Sequence, residues 1–172
     1  RDILAEGISD EADFRIYIRK LTMKKGTIVS SAKKPEESSV YEMYYEFEEK
    51  ISRIAGYRVL ALNRGEKEKI LTVKIQAPEE EILRYLKSKV ISRENPFTGP
   101  VLEAVAEDSY HRLIAPAIER EIRSELTEKA EDGAISVFGK NLEQLLMQPP
   151  IVGQVVLGWD PPFRTGCKLA VV

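Results

Sequence analysis

Ile114, Ile118, Ile122 and Leu126 recur at every fourth residue, a spacing that lines side chains along one face of an α-helix. Such a stripe commits the middle of the chain to an amphipathic helix whose apolar line other elements must cover. The helical pattern opens at Thr98 and Pro100 and runs to about Asp132, where Gly133 punctuates it. Pro116 stands inside the stripe. It has no N–H, and its ring crowds the carbonyl four residues back, so a kink or break is expected near His111–Leu113.

The rest of the chain reads mostly as helix. "RDILAEG" has the pattern of a helix stopped by Gly7. Ser9 is placed to cap the next helix, with Asp10, Glu11 and Asp13 in a first turn where the helix dipole favours acids. Phe14, Tyr17, Ile18 and Leu21 form its apolar stripe, and Gly26 ends it. "SSAKKPEESS" reads as an exposed loop, and "VYEMYYEFEEKISRIAG" as short helices. A helix bearing Val59, Leu60 and Leu62 is expected to end at Gly65, before Leu71, Val73 and Ile75 alternate as a strand. Pro78 begins a further helix, acidic at its start (Glu79, Glu80, Glu81) and basic at its end (Lys87, Lys89), with Ile82, Leu86 and Val90 buried. "AISVFGKNLEQLLM" reads as another helix, broken by "QPPIVG". The last segment, "VVLGWDPPFRTGCKLAVV", alternates as two strands around a Pro-rich turn. The fold class is therefore mainly α, with a short strand near 70–75 and a C-terminal β-hairpin.

Composition narrows the function. The 172 residues carry a net charge of −2, so attraction to nucleic acid must be local. The single cysteine, Cys167, excludes an internal disulfide and fits a reducing cytoplasm. A lone histidine, His111, argues against a His/Cys zinc site. No apolar run reaches the length of a membrane span.

Three constellations invite chemistry. From Phe14 to Lys34 the chain holds Arg15, Arg19, Lys20, Lys24, Lys25, Lys33 and Lys34 and no acid. These are candidates for contact with a phosphate backbone, against the commoner case of a solvated face whose acidic partners come from elsewhere in the fold. Asp160, at the end of a strand, occupies a place where metal-dependent nucleases keep a carboxylate, although Asp before Pro is also a turn former. Asp108, Ser109 and His111 do not make a triad, because near-consecutive helical residues point in different directions. Cys167 reads as a structural thiol in a strand, with Arg164 and Lys168 beside it. Tyr41, Tyr44 and Tyr45 read as packing residues rather than base-stacking ones.

At this point the sequence resembles a known family. "VLGWDPPFRTGCKLAVV" is similar to the segment that opens the YqgF domain in the Tex family of bacterial transcription accessory proteins. "RDILAEGISDEADFR", "ALNRGEKE", "HRLIAPAIEREIRSELTEKAE" and "NLEQLLMQPP" resemble Tex segments in Tex order. The resemblance implies a helical N-terminal and central region over 1–150, followed over 151–172 by the first strands of an RNase H-like domain that ends part-way through its sheet. It implies a cytoplasmic nucleic-acid-binding scaffold in transcription, with RNA or DNA bound mainly by domains absent here and with the transcription machinery as partner. Under this reading the chain is not an enzyme, needs no cofactor and no metal, and contacts no membrane. Asp160 matches the first RNase H-like carboxylate, without the later ones. Pro162 stands where Gly or Ala is usual in the family, and Trp159 where an aliphatic residue is common. The alternatives are a metal-dependent nuclease and a protein-interaction module. The strand edge at 167–172 is expected to pair with another chain or to pack on the helices.

Overall fold

The computed structural model describes residues 2–91, 95–149, 152–161 and 166–172, and divides into two compact units, Arg1–Ile135 and Ser136–Val172. The first is mainly helical: α1 (Asp2–Asp10), α2 (Ala12–Lys25), α3 (Gly56–Lys67), α4 (Glu79–Val90), α5 (Gly99–Asp108) and most of α6 (Ala115–Leu146). With them folds a three-stranded antiparallel sheet of β1 (Thr27–Ala32), β2 (Glu46–Lys50) and β3 (Leu71–Gln76), in the order β2-β1-β3. Only β3 is a strand the sequence pattern places correctly in this unit.

β1 follows the helix end read at Gly26 and runs into what reads as a polar loop. β2 lies where short helices are expected; of those, only the 3-10 turn Glu42–Tyr44 forms. β1 keeps a buried row and β2 a half-buried one, both hidden by the polar residues. Ile28 faces Glu49 and Ile75 across the sheet, and Ser30 faces Phe47 and Val73. Ser30 is buried because its hydroxyl donates to the Tyr44 carbonyl at 2.6 Å, so it fills a core position with no unmet polar group.

Three glycines read as helix stops lie within helices. α1 continues through Gly7 because Ala5 and Ser9, one turn apart on either side, are both buried; that burial outweighs the ~1 kcal/mol cost of an internal glycine. Ser9 is therefore a core residue of α1 and not a cap; Glu11 flanks α2 without a side-chain cap. α6 likewise runs through Gly133 to Leu146, taking in the helix expected separately after it. Gly65 has another use. A Cβ there would meet Leu71 Cδ1 at 2.6 Å, so it admits the first core residue of β3. The helix ends beyond it, where Lys69 takes a left-handed φ of 62°. The Lys69 N–H donates to Glu66 and the Ile70 N–H to Gly65, closing the final turn.

The expected break before Pro116 is a π-helical segment, Ser109–Ile114, joining α5 to α6. The Ala115 N–H donates to the Tyr110 carbonyl, five residues back. Pro116 has no N–H for the Arg112 carbonyl, and the wider turn relieves the crowding there. Ile114 at its end, and Ile118 and Ile122 beyond it, are buried and Leu126 partly so, as their spacing requires.

The second unit holds the end of α6 and a hairpin of β4 (Leu157–Asp160) and β5 (Lys168–Val171). Leu157 faces Val171, Trp159 faces Leu169 and Asp160 faces Lys168. Val156 and Val172 exchange backbone bonds of 2.8 and 3.0 Å beyond the strands. The side chains of both strands are exposed, since a two-stranded ribbon has no second layer of its own. Cys167 is exposed and lies just before β5, outside the strand expected to hold it. Pro162 and Arg164 lie outside the described residues.

Candidate interaction surfaces

α2 presents most of the basic segment, and its arginines are occupied. Arg15 reaches Glu121 on α6 at 2.9 Å, and Arg19 pairs with Glu125 and lies 3.8 Å from Glu121. Lys25 reaches Glu81 on α4 at 2.6 Å. In the loop after β1, Lys34 pairs with Glu37 at 2.6 Å, which raises its pKa. The acids missing from the segment thus come largely from distant parts of the chain. Lys20, Lys24 and Lys33 form no ion pair among the described residues, although Lys33 is near enough to Glu66 to help lower that group's pKa.

The three residues rejected as a triad diverge. The Ser109 hydroxyl is buried and donates to the Ala5 carbonyl at 2.8 Å. Asp108 pairs with Arg112 at 2.9 Å, and His111 lies 3.5 Å from Glu79. His111 and Glu79 border a cleft of about 360 Å³, also lined by Thr22, Tyr110 and Glu119. Burial, with the nearby Glu79 carboxylate, pushes the Tyr110 pKa up to about 12. Tyr41 and Tyr44 are buried in the core and Tyr45 is half-buried, as packing residues are. Asp160 is exposed opposite Lys168, and among the described residues no three His, Cys, Asp or Glu side chains come together as metal ligands.

The two edges of the sheet differ most. Residues at 71, 73 and 75 of β3 turn their backbone groups away from β1, because the bonded partners alternate. The middle of that edge is covered by side chains. Glu119 accepts the Ile75 N–H at 3.1 Å, and Arg123 donates to the Val73 carbonyl at 3.4 Å. Arg123 is held by a two-pronged pair with Glu66. The hydrogen bond from Arg123 dominates in lowering the Glu66 pKa; burial opposes it, and the Val73 N–H adds to it. On β2, Tyr45 and Ile51 bond β1, which places 47 and 49 inward and Glu46, Glu48 and Lys50 outward. The Lys50 carbonyl accepts from Arg53 and Ile54. Among the described residues nothing bonds the outward N–H and C=O of Glu46 or Glu48. Sequence reasoning missed this edge because it missed the strand.

Comparison with known proteins supplies the family. A family model described as Tex central region-like matches residues 1–138. The chain belongs to the Tex family. Its relatives include the Bacillus subtilis protein YdcI, 55% identical across 99% of this chain. Human S1 RNA-binding domain-containing protein 1 is 35% identical across 99%, and an Arabidopsis thaliana transcription elongation factor SPT6 homolog 26% across 83%. The chain spans 24%, 18% and 9% of those proteins' lengths. The family is associated with transcription, and no helix among the described residues is long and apolar enough to cross a membrane.

Proposed function

We propose that this Tex-family segment is a helical scaffold of a transcription accessory protein, contacting nucleic acid itself only weakly. The lock between α2 and α6 carries the reading. Arg15 and Arg19 are spent on Glu121 and Glu125, so the densest basic stretch builds the fold before it meets a phosphate. Lys20, Lys24 and Lys33 remain as candidate phosphate contacts. The reading assigns no catalysis to the segment. It takes β4 and β5 as the opening strands of an RNase H-like domain, with Asp160 inactive.

Fluorescence anisotropy of the chain with single-stranded RNA and duplex DNA across a salt series tests it. Three phosphate contacts give a log–log salt slope of magnitude about 2 on single strands, at roughly 0.7 per contact. Substitution of Lys20 and Lys24 by Glu is expected to abolish that binding. Tight binding with a steeper slope that survives the substitutions would refute the reading. Absence of binding at low salt would leave the scaffold without nucleic-acid contact.

A further inference from the structure

We propose that the outer edge of β2 is a docking strand for an extended, basic segment of a partner protein, which adds to the sheet as a fourth strand. An edge offers a row of main-chain donors and acceptors that a second strand can pair. Along β3 both Val73 groups and the Ile75 N–H are met by Glu66, Arg123 and Glu119. Along β2 the outward groups of Glu46 and Glu48 are not met by any described residue, although they belong to the same sheet.

Charge selects the occupant. Glu46 and Glu48 are both exposed and make no ion pair among the described residues. The inward residues of β2 are committed elsewhere: Glu49 pairs with Arg58 at 2.6 Å, and that guanidinium lies 5.9 Å from the Phe47 ring. On the outer face Glu46 and Glu48 neighbour Ser31 and Val29. Lys50 follows Glu48 at the next outward position, and Lys74 stands one strand further away on β3. A second copy pairing about Glu48 would set Glu48 against Glu48 in the middle of the contact, and the two glutamates repel a phosphate backbone. They attract a strand with Lys or Arg at alternate positions, since directly opposed unlike charges stabilise a strand pair.

The probe is a short synthetic peptide alternating Lys and Val, titrated into the whole chain and followed by amide NMR and hydrogen exchange. Binding is expected to protect the Glu46 and Glu48 amides and leave those of Val73 and Ile75 unchanged. Glu48→Gln is expected to weaken it about two- to fivefold, the worth of an exposed ion pair. Glu48→Pro, which removes an outward donor without touching the bonds to β1, is expected to weaken it about tenfold. Control peptides alternate Glu and Val, or carry the same lysines with prolines between them. Equal binding by the proline peptide would reduce the site to a diffuse acidic patch and overturn the proposal. So would self-association of the chain through Glu46 and Glu48, or protection that appears elsewhere.

Discussion

β2 and β3 are the two edges of one small sheet, and they solve the edge problem in opposite ways. β3 is covered from outside by the α3 and α6 side chains Glu66, Glu119 and Arg123, which serve as a surrogate fourth strand. β2 is left open and flanked by glutamates. The difference shows that side chains from helices can take over part of an edge that another strand would otherwise pair, at the cost of committing charged groups to one geometry. Where no helix supplies such groups, like charges discourage unwanted pairing instead.

Removing the cover from β3 is expected to have the largest effect. Arg123→Ala takes away the donor to Val73 and leaves Glu66 without its counter-charge, so a loss of about 2–3 kcal/mol is expected. The urea midpoint measures it, with faster exchange at Val73 and Ile75 as the local sign. Glu119→Ala is expected to cost about 1–2 kcal/mol, while Glu119→Gln, which keeps an acceptor for the Ile75 N–H, retains most of the stability. An equal loss in both variants would show that the charge matters and the hydrogen bond does not.

Acid acts on the same edge more gently. The folded-state pKa of Glu66 lies below its ordinary value of 4.5, so its contribution is fully present above that value and is lost as pH falls through the lowered one. Between those limits Glu66→Gln is expected to flatten the pH dependence of the urea midpoint. The open edge is expected to show the smallest stability effect. Replacing Glu46 and Glu48 together by Thr is expected to change stability by no more than about 0.5 kcal/mol. Sedimentation velocity is then expected to show a concentration-dependent dimer, because the repulsion is gone and the unpaired backbone remains.

The sequence made the helical half of this architecture legible and hid the sheet. Ile114, Ile118 and Ile122 announce their face by spacing alone, and Pro116 announces the irregular turn before it. Leu71, Val73 and Ile75 alternate openly. β1 and β2 do not, because a core position is filled by Ser30, whose hydroxyl is satisfied by a carbonyl that only the fold brings near. Acidic residues also occupy most of β2. Gly7, Gly65 and Gly133 mislead for one common reason: packing or helix continuity outweighs a local preference of about 1 kcal/mol. The basic run from Arg15 to Lys34 was visible as charge, but its partners Glu121, Glu125 and Glu81 lie far along the chain. Spacing cannot distinguish a paired cation from an available one.

The π segment at Ser109–Ile114 has a meaning in the currency of insertions and deletions. A π turn accommodates one residue more than the α-helical path, so it sets the rotational phase of everything that follows. Each residue of an α-helix advances the phase by about 100°. Deleting His111, an exposed residue that holds nothing in the core, is expected to restore an ordinary helix with α6 in its present phase, because the wide turn absorbs that one residue. Its cost is the crowding of Pro116 against the Arg112 carbonyl. Inserting an alanine after Ala115 is expected instead to turn α6 by that angle, taking Ile118 and Ile122 out of the core and Glu119 and Arg123 off the edge of β3. Thermal unfolding of the two variants side by side measures the difference, and only the insertion is expected to unfold the unit.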